Sequence, residues 1–223
     1  AYRMRIGNRV RAQVSYGEGF KKPSFFALDN PVVGNPLLEA EESDLLEAAL
    51  LVAGSNRRWT WRTSVFRQRF TNLIDLSESA PPRLVNLSEV ISEGLTTRVR
   101  FEDERRGFLF SATWMDVEVP GSDELLRNRP EWNLSTEGWW RLAESLRLAA
   151  AGRYVGDRLD SSVTTGTRRL GGYLVVDLRL QADLGENLEA VLAVENLLDR
   201  SYEETVGTEG PGRGLRAGLR LAF

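Results

Sequence analysis

The side chains in this 223-residue chain with the most chemistry to offer are charged, and they recur at alternate positions. Arg9, Arg11, Arg58, Arg62, Arg98, Arg100, Arg147, Arg153, Arg179, Arg216 and Arg220 fall in that pattern. So do Glu47, Glu102, Glu137, Asp177, Asp183, Glu189 and Glu195. A row of guanidinium groups attracts anions, whereas a row of mixed sign pairs with itself across neighbouring strands. Because the acids are interspersed, cross-strand pairing is the favoured reading. Neither arrangement is a catalytic set. Histidine and cysteine are absent, which removes Ser-His chemistry, thiol nucleophiles and imidazole or thiolate metal ligation. No pair of carboxylates stands out for acid–base work. The sequence therefore offers no catalytic residue, no metal ligand and no cofactor site, and a net charge of -3 argues against a nucleic-acid partner.

The elements that would carry these charges have period two. In the last stretch Leu215, Ala217, Leu219, Leu221 and Phe223 face one way, and Arg216, Gly218, Arg220 and Ala222 the other. The pattern recurs over 9–16, 58–65, 95–102, 146–150, 174–182 and 188–195. Hydrophobic residues make up 42% and mean hydropathy is -0.31. Both values suit a soluble protein, and equally a barrel whose lipid-facing and lumen-facing residues average out. No stretch approaches the roughly 20 apolar residues of a membrane helix, so a membrane reading requires a β-barrel.

The expectation is about eleven antiparallel transmembrane strands, the first truncated. The connections fall into two alternating classes. Short ones lie at Gly7-Asn8, 54–57, 103–106, Ala143-Glu144 and 184–186, and long ones at 17–40, 71–83, 118–130, 156–170 and 198–213. Outer-membrane barrels place short turns on the periplasmic rim and long loops outside. Tyr16, Trp114, Trp132, Trp140, Tyr154 and Phe223 lie near strand ends, where aromatic girdles form. A soluble β-sandwich also alternates, but it mixes its loop lengths. No apolar leader precedes Ala1, so the opening alternation reads as a fragment that starts inside a strand.

Several segments carry the reading further. Ser15–Ser24 (SYGEGFKKPS) resembles the SYGxGFKxPS segment of TonB-dependent outer-membrane receptors. Gly34–Ser43 resembles their GNPxLxPExS segment, with Ala40 where proline is usual. Glu195–Tyr202 resembles the near-terminal xNLxDxxY, Gly210–Arg213 the PGR before the last strand, and Phe223 the barrel-assembly signal. One departure is Gly94-Leu95-Thr96, where the family often has GvE. The matches run in family order along nearly the whole chain.

The residues that carry the resemblance are Tyr16, Gly17, Gly19, Phe20, Pro23, Asn35, Pro36, Asn196, Leu197, Asp199, Tyr202, Gly212, Arg213 and Phe223. They read as fold-defining more than ligand-contacting. Gly17 and Gly19 are expected to let the chain leave a strand, and Asn196 and Asp199 to bond nearby backbone at a strand-to-loop transition. The resemblance implies an all-β segment, half of a 22-stranded barrel. It also implies substrate-specific uptake of a small-molecule chelate such as a ferric siderophore, haem or cobalamin. Its partners would be outer-membrane lipid, the N-terminal barrel half with its plug, and TonB acting through that plug. A passive porin or small autonomous barrel is the alternative. Substrate-contact candidates are Phe20, Phe25 and Phe26 in the first long loop, and Arg98, Arg100 and Arg153 on the inner wall.

Overall fold

The computed structural model describes all residues except Ser55, Arg57, Glu78, Ala80, 122–125, Val163, Ala222 and Phe223. The expected terminal signal at Phe223 thus lies outside the described residues. In chain order the elements are β1 (Tyr2–Ile6), β2 (Val10–Lys21), α1 (Phe25–Asp29), β3 (Glu41–Ala53), β4 (Trp59–Leu76), β5 (Leu84–Glu102), β6 (Arg106–Glu118), β7 (Trp132–Ala143) and β8 (Leu146–Val155). There follow β9 (Arg158–Ser162), β10 (Gly166–Leu170), β11 (Tyr173–Asp183), β12 (Leu188–Glu195), β13 (Glu203–Thr205), β14 (Thr208–Glu209) and β15 (Gly214–Leu221).

Eleven of the strands form one antiparallel sheet in the order β1-β2-β3-β4-β5-β6-β7-β8-β11-β12-β15. The sheet is open, with β1 and β15 at its edges. Its register keeps one face apolar from strand to strand. Val14 lies opposite Ala48, Ala48 opposite Val65, Val65 opposite Leu95, Leu95 opposite Trp114, and Trp114 opposite Trp132. One residue along, the row is Gln13, Ala49, Ser64, Thr96, Thr113 and Asn133. A one-residue slip would exchange the faces on every strand, so the alternation itself fixes the register. The apolar face has no protein cover: Val65 is 53% exposed and Leu219 74%. A continuous apolar surface of this extent is a lipid-facing band. Near the short turns Trp59 packs on Phe101 at 4.7 Å and meets Phe108 edge-on at 5.8 Å.

Strands β4 and β5 have 18 and 19 residues, against the 9–11 or so that a bilayer needs. Beyond Val65 their convex face turns charged, and Arg67 pairs with Glu93 at 2.8 Å and Arg69 with Glu89 at 2.6 Å. Ion pairs facing outward mark the end of the apolar band, so this hairpin rises well past it. The long connection was expected to begin at 71, and it begins after Leu76 because the ladder runs on to Leu76 opposite Leu84. Similarly, Gly17, Gly19 and Phe20 do not leave the strand. They stay in β2, opposite Leu45, Ser43 and Glu42, because β3 continues as far as Glu41.

The remaining elements lie in the long loops. Ser24 caps the single turn α1 by accepting from the Ala27 N–H at 3.1 Å. The fourth and fifth loops hold the small hairpins β9–β10 and β13–β14.

Candidate functional site

The concave face lines a trough of about 1390 Å³ that includes Arg5, Arg9, Arg11, Arg62, Arg98, Arg100, Arg147, Arg179 and Arg216, with Glu102, Glu137, Asp177 and Glu195. Glu47 receives Arg62 at 2.8 Å, and Ser64 takes a second bond from the same guanidinium at 3.1 Å. Arg216 meets Glu195 at 2.9 Å, and Arg100 is paired with Glu102. Arg147 lies over the Trp139 ring, 4.5 Å from its centroid. Arg5, Arg11, Arg98 and Arg179 make no ion pair among the described residues. Cross-strand pairing therefore accounts for part of the row, and free guanidinium groups remain on the half of the wall nearer the short turns.

The candidates read from sequence do not converge. Arg98 and Arg100 line the trough, with Arg98 opposite Arg62 on β4. Arg153 lines a second hollow of about 650 Å³ beneath the fifth loop, where it pairs with Glu204 at 3.1 Å and lies 5.4 Å from the Tyr173 ring. Phe20 is on β2, while Phe25 and Phe26 are on α1 and are 86% and 63% exposed. The first loop is fastened to the β4–β5 hairpin. Asn35 Nδ2 donates to the Leu84 carbonyl at 3.0 Å, and Asn86 Oδ1 accepts from the Glu39 N–H at 2.9 Å. Tyr16 Oη bonds to Glu18 and Asp44 at the upper margin of the apolar band. Pro23 and Pro36 flank this loop. Among the described residues no group of three or more Asp or Glu side chains is placed to hold a metal ion.

The base of the fifth loop is built from the motif residues. Asn196, only 2% exposed, has φ 47°. Its Nδ2 donates to the carbonyls of Arg200 (2.9 Å) and Pro211 (3.0 Å), and its Oδ1 accepts from the Arg200 N–H at 2.9 Å. Leu197 donates its N–H to the Val176 carbonyl at 2.7 Å. Tyr202 stacks on Tyr173, with ring centroids 4.3 Å apart. Its ring lies so close over Gly210 that a β-carbon there would collide with it.

Asp199 accepts from the Arg213 N–H at 3.0 Å and meets the Arg213 guanidinium at 3.1 Å, beside Gly212. The Arg213 backbone N–H, followed by its guanidinium, holds the Asp199 carboxyl below the usual aspartate range. A carboxylate with a lowered folded pKa contributes stability above its unfolded pKa and loses it as pH falls through the folded value. Amide exchange at Arg213, corrected for intrinsic rate, should therefore be flat near neutrality and should accelerate below about pH 4. In Asp199→Asn it should be fast at neutral pH and should lose that step. An acid step that survives the substitution would assign the effect to another group.

Sequence reasoning missed Arg127, Asn128, Arg158 and Asp160, which join long loops to one another, and Tyr173 of β11, on which Tyr202 stacks. One local signal existed: asparagine tolerates positive φ, as Asn128 does at 55°.

Comparison with known proteins adds the following. The family model for TonB dependent receptor-like β-barrels matches residues 2–197. Among curated proteins, the vitamin B12 transporter BtuB of Photobacterium profundum is 27% identical over 207 residues, covering 88% of this chain and 33% of that protein. BtuB of Vibrio vulnificus is 28% identical over 203 residues, covering 88% of this chain and 31% of that protein. The chain thus spans about a third of the length of the curated relatives it matches. Among solved structures, the ferric-catecholate import receptor Fiu from K12 E. coli superposes with a TM-score of 0.80 at 18% identity, covering 99% of this chain and 34% of that one. The ferripyoverdine receptor of the Pseudomonas aeruginosa outer membrane gives 0.79 at 15% identity, covering 98% and 32%.

Proposed function

The chain belongs to the TonB-dependent receptor-like β-barrel family, and on that premise we propose that it is the C-terminal half of the barrel of a receptor that takes up a scarce nutrient across the bacterial outer membrane. The short turns are periplasmic and the long loops extracellular. The cargo is a chelate such as a ferric siderophore, haem or cobalamin. The energy-coupling contact with TonB belongs to a plug, which is not among the elements of residues 1–223. The relatives are transporters and receptors, and no reactive constellation argues for an enzyme.

The observation that carries this reading is the open sheet of eleven alternating strands, apolar outside and polar within. An odd number of antiparallel strands leaves both edges running the same way. A second copy inserted in the same orientation would meet β1 and β15 only in parallel. Closure by antiparallel pairing needs a different stretch of chain that contributes an odd number of strands, giving the even total of bacterial barrels.

The test uses the purified full-length receptor in equilibrium binding with cyanocobalamin, haem and a panel of ferric siderophores. One class should bind in the nanomolar to micromolar range and compete with its own kind alone. Cells lacking the receptor should then fail to take up that class when it is scarce. Flux linear in concentration for unrelated small solutes, with no saturable binder, would replace this reading with a passive pore.

A further inference from the structure

The long connections of this chain are joined through polar side chains, of which Arg158 and Asp160 are buried. Where β4 runs into the second loop, Arg127 of the third loop donates from Nη2 to Asp75 Oδ1 and to the Leu76 carbonyl. The third and fourth loops are tied three times. Arg127 Nη1 donates to Ser161 Oγ at 3.2 Å, Asn128 Nδ2 to Asp160 Oδ1 at 3.0 Å, and the Asn128 N–H to the Leu159 carbonyl at 2.7 Å. The fourth and fifth loops are tied as well. Asp160 Oδ2 accepts from the Val206 N–H at 2.8 Å, and Arg158 Nη2 donates to the carbonyls of Glu203 and Glu204 at 2.8 and 2.6 Å. Asp160 is 6% exposed and Arg158 7%. The side-chain partners are 32 to 52 residues apart along the chain.

Two features set this arrangement apart from a set of surface contacts. First, the loops have little apolar core of their own. Two small apolar clusters reach into them from the strands, Val119 and Leu126 on Val90 of β5, and Tyr202 on Tyr173 and Val175 of β11. Second, Asp160 uses one oxygen for the third loop and the other for the fifth. Removing its buried carboxylate takes the acceptor from the Asn128 amide and from the half-buried Val206 N–H, on two loops at once. Arg127 likewise joins the end of β4, where the second loop begins, to the fourth loop. Each node thus links two distant stretches of chain, and the two nodes share the β9 segment.

We propose that the second to fifth loops are a single preassembled lip, held by Arg127 and Asp160 as positioning residues, and that they open together or not at all. This goes beyond the nutrient-uptake reading and does not depend on the cargo. Cooperative units of this kind exchange their amides with a common opening equilibrium.

Hydrogen exchange on the full-length receptor tests it, with one reporter amide for each node: Ser77 in the second loop, bonded to the Arg83 carbonyl and making no bond to Asp160, and Gly210 in the fifth, bonded to the Tyr202 carbonyl and making no bond to Arg127. Asp160→Ala should speed exchange at both reporters by about tenfold or more. Arg127→Ala should do so as well, although Arg127 makes no bond to the fifth loop. The double variant should speed exchange at both reporters by one common factor. Retention of heat-modifiable migration on gels checks that the barrel itself is folded, and Asp160→Asn is a milder substitute if Asp160→Ala does not assemble. The proposal is overturned if Asp160→Ala leaves Ser77 unchanged, if Arg127→Ala leaves Gly210 unchanged, or if the double variant speeds the two reporters by different factors.

Discussion

Replacing Ala150 with arginine should destabilise the folded receptor by about 2–4 kcal/mol, while the same replacement at Ala151 should change stability by less than about 1 kcal/mol. The two residues are neighbours in the middle of β8, yet they face opposite media. Ala150 lies opposite Gly138 on β7 and Leu178 on β11, within the apolar face. Ala151 lies opposite Glu137 and Asp177, on the wall of the trough. A guanidinium at 150 enters hydrocarbon at mid-strand, where it is most costly. At 151 it meets two carboxylates. Urea titration of the receptor folded into phosphatidylcholine vesicles measures both costs. Equal costs at the two positions would contradict the assignment of the faces.

Replacing Asn196 with alanine should weaken the base of the fifth loop by about 3 kcal/mol or more. The side chain satisfies two carbonyls and one N–H in a buried setting, and the backbone holds φ 47°, where alanine is strained. Asn196→Gly loses the same bonds and escapes the strain, so it should recover about 1 kcal/mol of the loss. The readout is amide exchange at Arg200 together with protease cutting between 199 and 213. An alanine variant with unchanged protection at Arg200 would refute the role. Asn196→Asp keeps the acceptor for the Arg200 N–H but sets a buried carboxylate oxygen against the Arg200 and Pro211 carbonyls, so it should be at least as damaging as alanine.

The main sheet could be read from the sequence because a pleated strand exposes alternate residues to two different media. That is why Leu215 to Leu221 and Leu174 to Ala182 declared themselves, and why the short turns fell within a residue or so of their observed positions. Residues 71–76 of β4 were read as loop, and the legible alternation stopped at 58–65 and 95–102, because beyond them the outward residues of β4 and β5 are Arg67, Arg69, Glu89 and Glu93. Above the apolar band the contrast between the faces disappears, and with it the signal. Gly17 and Gly19 mislead for a related reason. Glycine marks a turn only where local geometry decides, and here the pairing of β2 with β3 overrides that preference. The loop nodes were not legible at all. An arginine at 127 and an aspartate at 160 carry no periodicity, and their bonds depend on where distant loops come to rest. The substrate-contact candidates suffered similarly: alternation could place Arg98 and Arg100 on the wall, but nothing local could tell how far from them the aromatic side chains on α1 would stand.

The parity of the sheet also restricts how such a receptor can evolve. Because β1 and β15 run the same way, a tandem duplication of this stretch joined by a tight turn would invert the second copy and put its long loops on the rim of the first copy's short turns. Recombination between relatives can exchange this stretch only for another that holds an odd number of strands, or else two crossovers must change the count on both sides together. A single hairpin can be gained or lost freely, since it adds two strands and leaves the parity intact. Hairpin-sized steps are therefore the increments by which a barrel of this kind can widen or narrow over its history.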